Sequence, residues 1–169
     1  MNKTSRLTRG ALIGAAYAAL TLALPFIGFG PVQFRAGEAL TVLPFIYPEA
    51  VWGLTAGCFV ANFIGMALGF TTPWDILLGT LATLIAAYAT SRVKSPWLAP
   101  APPVIANAVI IGAMLTFVVI PGFAHAPLYY NILTIGISQA TVCYLAGIPL
   151  LFFIRRFNKQ NGSTDKNES

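Results

Sequence analysis

Charged side chains are scarce in this sequence. Of its 169 residues only 9% are Asp, Glu, Lys or Arg, whereas 57% are hydrophobic. An ordinary soluble domain carries about a quarter charged residues. The few charges are also unevenly spread, because none occurs in residues 10–34, 50–74, 76–91 or 95–154. Runs of this length and composition argue against a soluble domain with a single core and are typical of membrane-spanning helices.

The residues that build common catalytic and metal sites are rare as well. The chain has one histidine, His125, and two cysteines, Cys58 and Cys143, without CxxC spacing. It contains no G-x-S-x-G, H-E-x-x-H or G-x-x-x-x-G-K-[ST] motif. We therefore expect no enzyme activity, no cofactor and no metal, and any pumping must draw its energy from another protein. The cysteines are interpreted as small buried packing residues and His125 as a solvated loop residue.

Six membrane-spanning helices fit the apolar runs, with Pro and Gly in the gaps between them. The predicted spans cover residues 10–28, 35–47, 50–70, 74–91, 102–121 and 129–154. Together they predict one all-α membrane domain over residues 10–156. A short cytoplasmic segment, 1–9, precedes it, and a disordered cytoplasmic tail, 157–169, follows it.

The basic residues fix the predicted orientation. An even number of spans places one set of cations on the same side of the membrane: Lys3, Arg6, Arg9, Arg92, Lys94, Arg155, Arg156 and Lys159. The positive-inside rule makes that side the cytoplasm, so we expect a multi-pass protein of the bacterial cell membrane with both termini inside. Because these cations flank apolar spans and form no patch with interleaved aromatics, nucleic acid is not an expected partner.

Two opposite charges lie three residues apart in the second predicted span. Arg35 and Glu38 could neutralise each other as a structural pair, since side chains at this spacing meet on a helix. They could also form a ligand site, because an ionisable group at membrane depth costs about 2.5 to 3.5 kcal/mol and usually marks a pathway or a pocket. The second interpretation is favoured.

Other polar residues in the spans have the same two interpretations. Asn62, Asn107 and Gln139 could bridge helices by hydrogen bonds or contact a ligand. Asp75 follows Pro73 at the start of the fourth span and could cap that helix or contact a ligand. Tyr130 lies where an interfacial aromatic belt would place it.

Small residues recur every four positions in two spans. The first span carries Ala11, Ala15, Ala19 and Ala23, and the third carries Gly53, Gly57, Ala61, Gly65 and Gly69. Such stripes let helix backbones approach closely in lipid. Each stripe can pack within this bundle or against a second protein. The sequence thus indicates a substrate-capturing subunit that docks onto a separate motor; the alternative is a small polytopic membrane protein with a structural or channel role.

Five segments resemble the QueT family, the substrate-binding components of energy-coupling factor (ECF) transporters. They are "GPVQFRAGEALTVLP", "GCFVANFIG", "WDILLGTLATLIAAY", "PPVIANAVIIG" and "ISQATVCYLAGIPL". The resemblance runs over about residues 9–156, and the F-R-x-x-E-A-L core of the first segment is its most specific part. Gly37 stands where that motif often has Ser.

The resemblance implies a protein that binds a queuosine precursor outside the cell and pairs with a transmembrane scaffold protein and two ATPases. The Ala-x-x-x-Ala face of the first span, with Ala11, Ala15, Ala19 and Ala23, would contact the scaffold. Within that family a guanine-like ring would be held by Glu38 and Arg35. Asp75 or an aromatic face such as Tyr130 or Phe34 would serve the ammonium of an aminomethyl precursor such as prequeuosine. Another vitamin-like small molecule is the alternative cargo.

Overall fold

The computed structural model describes residues 2–28, 33–119 and 127–164. Within these ranges the chain forms helices and no strand, which confirms the all-α prediction. Seven α-helices are described there: α1 Lys3–Ala23, α2 Pro25–Gly28, α3 Ala50–Ala67, α4 Thr80–Thr90, α5 Ala101–Met114, α6 Leu128–Val142 and α7 Ile148–Thr164. His125 and residues 29–32 of the predicted outer loop lie outside the described residues.

Helices of other pitch join these elements. Two are 3-10 helices, Ala36–Phe45 and Pro96–Leu98, and three are π-helical segments, Asp75–Gly79, Leu115–Val119 and Cys143–Gly147. The π-helical segments run directly into α4, out of α5 and between α6 and α7. Wide turns of this kind are rare and often lie at functional sites.

Three of the described helical stretches are long and apolar enough to cross a membrane. They are Ala50–Ala67, Pro96–Val118 and Leu128–Gln160, with 18, 23 and 33 residues. They coincide with the third, fifth and sixth predicted spans, so this is a membrane protein by length and composition. The last stretch continues as α7 to Thr164, inside the segment that the sequence predicts as a tail.

The other predicted spans take different forms. The first is the 21-residue helix α1, which includes the basic N-terminal residues. The fourth is the shorter apolar helix Asp75–Thr90. The second is the 10-residue 3-10 helix Ala36–Phe45, which at about 2.0 Å per residue extends about 20 Å. That is less than the hydrocarbon thickness of about 30 Å, so the neighbouring helices surround this segment.

The 3-10 helix Ala36–Phe45 lies in the middle of the bundle, against α1, α4 and the π-helical segment Cys143–Gly147. Seven of its ten residues are buried. Gly37 allows the approach to α1, because a Cβ there would collide with the Tyr17 carbonyl oxygen and the Thr21 hydroxyl. A serine at this position would therefore not fit without a shift of α1.

Glycines bring α1 and α3 into backbone contact. A Cβ on Gly10 or Gly14 would meet the backbone of Glu49 or Gly53, and a Cβ on Gly53 or Gly57 would meet the backbone of Gly10 or Gly14. The small-residue stripe of the third predicted span therefore packs within the bundle as far as Gly65, and Gly69 lies exposed beyond it.

Contacts between helix ends define two ends of the bundle. At one end, which we call the basic end, the Arg9 guanidinium lies 4.3 Å from the Tyr47 ring centroid, and the Asn158 amide donates to the Tyr47 hydroxyl at 2.6 Å. Trp97 and Phe152 pack there too, with ring centroids 5.4 Å apart. The opposite end contains the turn after α3, which reaches α2 through rings 5.2 Å apart in Phe26 and Phe70.

Candidate functional site

Glu38 lies in the first turn of the 3-10 helix Ala36–Phe45 and is only 2% exposed. The Tyr17 hydroxyl of α1 donates to its Oε1 at 2.6 Å, and the Asn107 amide of α5 donates to Oε2 at 3.4 Å. The Gln139 side chain of α6 also interacts with this carboxylate. A buried carboxylate is costly unless it is hydrogen-bonded, and three helices supply donors to this one.

Arg35 immediately precedes the same 3-10 helix and is also buried. Its Nε donates to the Gly28 carbonyl oxygen at 3.1 Å, which fixes the guanidinium against the end of α2. Its Nη2 lies 3.7 Å from Oδ1 of Asp75, an ion pair between side chains that are 5% and 9% exposed. Thus the ion pair of Arg35 is made with an acid 40 residues away, while Glu38 receives neutral donors.

Asp75 begins the π-helical segment that leads into α4. Its Oδ2 accepts hydrogen bonds from the Thr72 backbone N–H and the Thr72 hydroxyl, both at 2.8 Å. The carboxylate therefore closes the turn that precedes the helix and offers its other oxygen to Arg35. It combines the predicted role at a helix start with a place beside the guanidinium.

Asn62 connects α3 to this group. It is fully buried, and its Nδ2 donates to the Asp75 carbonyl oxygen at 2.8 Å. Its Oδ1 is buried as well and has no hydrogen-bond partner among the described residues. Gly79 lets the amide approach, since a Cβ there would lie 2.9 Å from Nδ2 of Asn62. An unpaired buried carbonyl oxygen is uncommon and can accept a bond from a ligand.

Six of the seven predicted ligand-binding residues therefore lie in one buried region, which we call the polar cluster. Its predicted members are Arg35, Glu38, Asn62, Asp75, Asn107 and Gln139, all buried. Tyr130 does not join them: it lies near the start of α6 and is 53% exposed. Different helices each supply one or two members, so the polar cluster exists only in the assembled bundle.

Sequence reasoning missed Tyr17, which is fully buried and makes the shortest contact to Glu38. A signal was present in the helical spacing of Gly10, Gly14, Tyr17 and Thr21, which puts them on one face; the structure buries that face. The sequence analysis assigned a role only to the neighbouring face of α1, which carries the alanine stripe. Thr72 was also missed, because its role depends on a turn.

The four alanines of the first span, Ala11, Ala15, Ala19 and Ala23, are all exposed. The bundle thus uses the glycine face of α1 for its own packing and leaves the alanine face uncovered. The small-residue stripe of α3 is therefore buried inside the bundle, whereas the alanine stripe of α1 lies on its surface.

The polar cluster offers charged and hydrogen-bonding groups. It contains two carboxylates, a guanidinium, three amides and a phenol, which together donate and accept hydrogen bonds in fixed positions. Among residues 2–28, 33–119 and 127–164, no group of His, Cys, Asp and Glu could hold a metal ion. Groups of this kind can donate hydrogen bonds to a small polar molecule and accept hydrogen bonds from it.

Comparison with known proteins gives the family. The sequence model described as QueT transporter matches residues 7–156. Over 87 residues the chain is 36% identical to the queuosine precursor transporter QueT of Lactococcus lactis subsp. cremoris (strain MG1363), a match that covers 50% of this chain and 48% of that protein. The match thus spans about half the length of this curated relative. No solved structure matches the chain.

Proposed function

The chain belongs to the QueT transporter family, and on this premise we propose that it is the substrate-capturing subunit of an ATP-driven ECF-type uptake transporter. It binds a queuosine precursor, a 7-deazaguanine base such as prequeuosine, at the extracellular side. It then delivers the base inward together with a transmembrane scaffold protein and two ATPases. The name of the Lactococcus lactis relative, a queuosine precursor transporter, supports this cargo.

The observation that carries the proposal is the environment of Glu38. A guanine-type ring presents an N1–H and an exocyclic amine side by side, and one carboxylate can accept both. The Glu38 carboxylate is buried at 2% exposure and held from one side by the Tyr17 hydroxyl at 2.6 Å. The Asn107 contact to Oε2 is long at 3.4 Å, so a ligand could take its place with a shorter hydrogen bond.

The remaining polar groups suit the rest of such a ligand. The ring carbonyl oxygen requires a donor, and Arg35 or an amide of the polar cluster supplies one. An aminomethyl substituent carries an ammonium, for which the Asp75 carboxylate and the unpaired Oδ1 of Asn62 are acceptors. Tyr130, which is 53% exposed near the start of α6, would offer its ring face to the same ammonium.

The topology proposed with this function has six spans over residues 10–156 and both termini in the cytoplasm. Three membrane-length apolar helices and the meeting of the basic residues at one end of the bundle support it. The positive-inside rule then assigns the basic end to the cytoplasm of the cell, and the end with Phe26 and Phe70 faces outward. In this orientation the exposed alanine face of α1 is the proposed contact with the scaffold protein.

The first experiment identifies the cargo. The protein is purified from cells grown with queuosine precursors, and the small molecules released on denaturation are identified by mass spectrometry. A released 7-deazaguanine supports the proposal. Another vitamin-like compound would replace the cargo but keep the function, and the absence of any retained or measurably binding small molecule would favour a structural or channel role.

The second experiment tests the site. Binding of prequeuosine is measured by titration calorimetry for Glu38→Gln and for the matched control Glu49→Gln, which makes the same change at the basic end. Replacing the carboxylate removes charge-assisted hydrogen bonds worth about 1.5 to 3 kcal/mol, so Glu38→Gln should weaken binding about tenfold or more. Unchanged affinity in a folded Glu38→Gln protein would refute this site.

A further inference from the structure

We propose that the groove between the N-terminal part of α1 and the start of α3 binds an anionic phospholipid, with its phosphate near Lys3 and Arg6. The groove has a volume of about 460 Å³. Its lining combines these two cations with an apolar floor that includes Leu7, Ala11, Trp52 and Ala56. It lies at the basic end, far along α1 from the polar cluster, and this proposal does not depend on the cargo.

The two cations of the groove are uncompensated. Lys3 and Arg6 are exposed, and no described side chain pairs with either of them. Glu49 also lines the groove, but its Oε1 is already engaged by Arg9 at 3.1 Å. The site therefore keeps a net positive charge that a lipid phosphate would neutralise, since cations near a membrane surface attract anionic headgroups.

The apolar part of the lining identifies the ligand as a lipid rather than a free phosphate. Leu7 and Trp52 are both exposed, at 75% and 73%, and Gly10 and Gly53 line the groove between them. Trp favours the membrane interface, where its ring lies at the level of the headgroups. Arg6 and Trp52 also line an adjoining groove of about 480 Å³, so the surface has room for a headgroup and the start of an acyl chain.

The position has a consequence for the alanine face of α1. Ala11 belongs both to this groove and to the exposed stripe that is the proposed scaffold contact. A phospholipid seated here would border that contact. Its headgroup would thus help to set the height of α1 in the membrane beside the partner surface.

The main test is lipid retention. The protein is titrated with phosphatidylglycerol or with phosphatidylcholine of the same acyl chains, and bound lipid is counted by native mass spectrometry. We expect at least a tenfold preference for phosphatidylglycerol, lost in the double variant Lys3→Gln/Arg6→Gln. The matched control Arg92→Gln/Lys159→Gln removes two exposed cations at the same end and should keep it. Equal loss in both variants would show diffuse attraction and overturn the proposal.

A second measurement locates the acyl chain. Trp52 fluorescence is followed in a Trp74→Phe/Trp97→Phe background. Phosphatidylglycerol with brominated chains should quench it about tenfold more efficiently when Lys3 and Arg6 are present than in the same background with Lys3→Gln/Arg6→Gln. Quenching that ignores the two cations would contradict the site. So would soluble glycerol phosphate that competes as well as the lipid, because it would assign the groove to free phosphate. Retention of the lipid in the complex with purified scaffold protein would support a groove that borders the partner surface, whereas its displacement would show that the two surfaces overlap.

Discussion

Two ion pairs in this molecule differ in their exposure to water, and the order of their distances is the opposite of what burial would suggest. At the basic end, Arg9 and Glu49 are 3.1 Å apart with side chains 33% and 15% exposed. In the polar cluster, Arg35 and Asp75 are 3.7 Å apart with side chains 5% and 9% exposed. The shorter pair is the one that water can reach, and the longer pair is the buried one.

The difference indicates what each pair is for. A partly exposed pair contributes about 1 kcal/mol or less, and the contacts of Arg9 with Tyr47 and Glu49 hold α1 against the start of α3. A buried pair is costly to desolvate, and apolar side chains of similar volume would stabilise the bundle at least as well. Because Oδ2 of Asp75 accepts from Thr72, Arg35 lies against Oδ1, at 3.7 Å. The two side chains therefore do not form a close bidentate ion pair. A desolvation cost of this kind is expected at a ligand site such as the one proposed for the polar cluster.

The largest effect should come from breaking the ion pair of each region, the polar cluster and the basic end. Asp75→Asn removes the carboxylate that lies 3.7 Å from the buried Arg35 guanidinium, and breaking a buried ion pair typically costs about 3 to 5 kcal/mol. Glu49→Gln removes the acid of the partly exposed pair and should cost less than about 1 kcal/mol. The free energy of unfolding, measured by denaturation with SDS in mixed micelles, checks both. Equal losses would mean that burial does not distinguish the two pairs.

The next effect concerns the crossing of α1 and α3 that lies between the two ends. Gly53→Ala places a methyl group against the Gly10 carbonyl, so the helices must separate, at an expected cost of about 1 to 3 kcal/mol. The same denaturation measurement applies. Ala19→Leu on the exposed face of α1 adds more atoms and is the control. A Gly53→Ala protein as stable as the control would show that the helices separate without loss of packing.

A smaller effect is expected from the two tyrosines that mark the two regions. Tyr17→Phe removes the closest donor to Glu38, but Asn107 and Gln139 remain beside the carboxylate, so the loss should be about 1 kcal/mol. The carboxylate also loses a contact that orients it. Prequeuosine affinity should therefore fall about fivefold, which corresponds to about 1 kcal/mol of binding free energy. Tyr47→Phe removes an exposed hydroxyl that accepts from Asn158.

Titration calorimetry and unfolding are measured on both variants. The Tyr47→Phe protein should bind with unchanged affinity. If the two variants lost affinity equally, Tyr17 would have no special role in the polar cluster.

Helices could be predicted from the sequence where an apolar run is long enough to cross a membrane. Uninterrupted apolar runs located the stretches Ala50–Ala67, Pro96–Val118 and Leu128–Gln160, because hydrophobic length is a local property. The 3-10 geometry of Ala36–Phe45 could not be predicted, since its apolar pattern fits an α-helix as well. That geometry follows from the neighbours that enclose the segment, including the close approach of α1 at Gly37.

The membership of the polar cluster was also predictable in large part. Polar groups in apolar runs must find partners, and this reasoning selected Glu38, Asn62, Asn107 and Gln139. The choice of partner was not predictable, because the ion pair of Arg35 with Asp75 depends on how α4 packs beside the 3-10 helix. Sequence spacing allowed a pair with Glu38, three residues away, whereas the ion pair with Asp75 follows from the packing of the bundle.

The smallest effect on the protein itself should come from the alanine face of α1. Ala15→Leu together with Ala19→Leu adds bulk at exposed positions, so the free energy of unfolding should change by less than about 0.5 kcal/mol. Prequeuosine binding should be unchanged, because the polar cluster lies on the other side of the helix. Assembly with the scaffold protein, measured by copurification, should be lost, since small residues allow the close approach of helices in lipid. An intact complex would show that the scaffold contact lies on a surface other than the alanine face. The proposal of ligand capture would be unaffected.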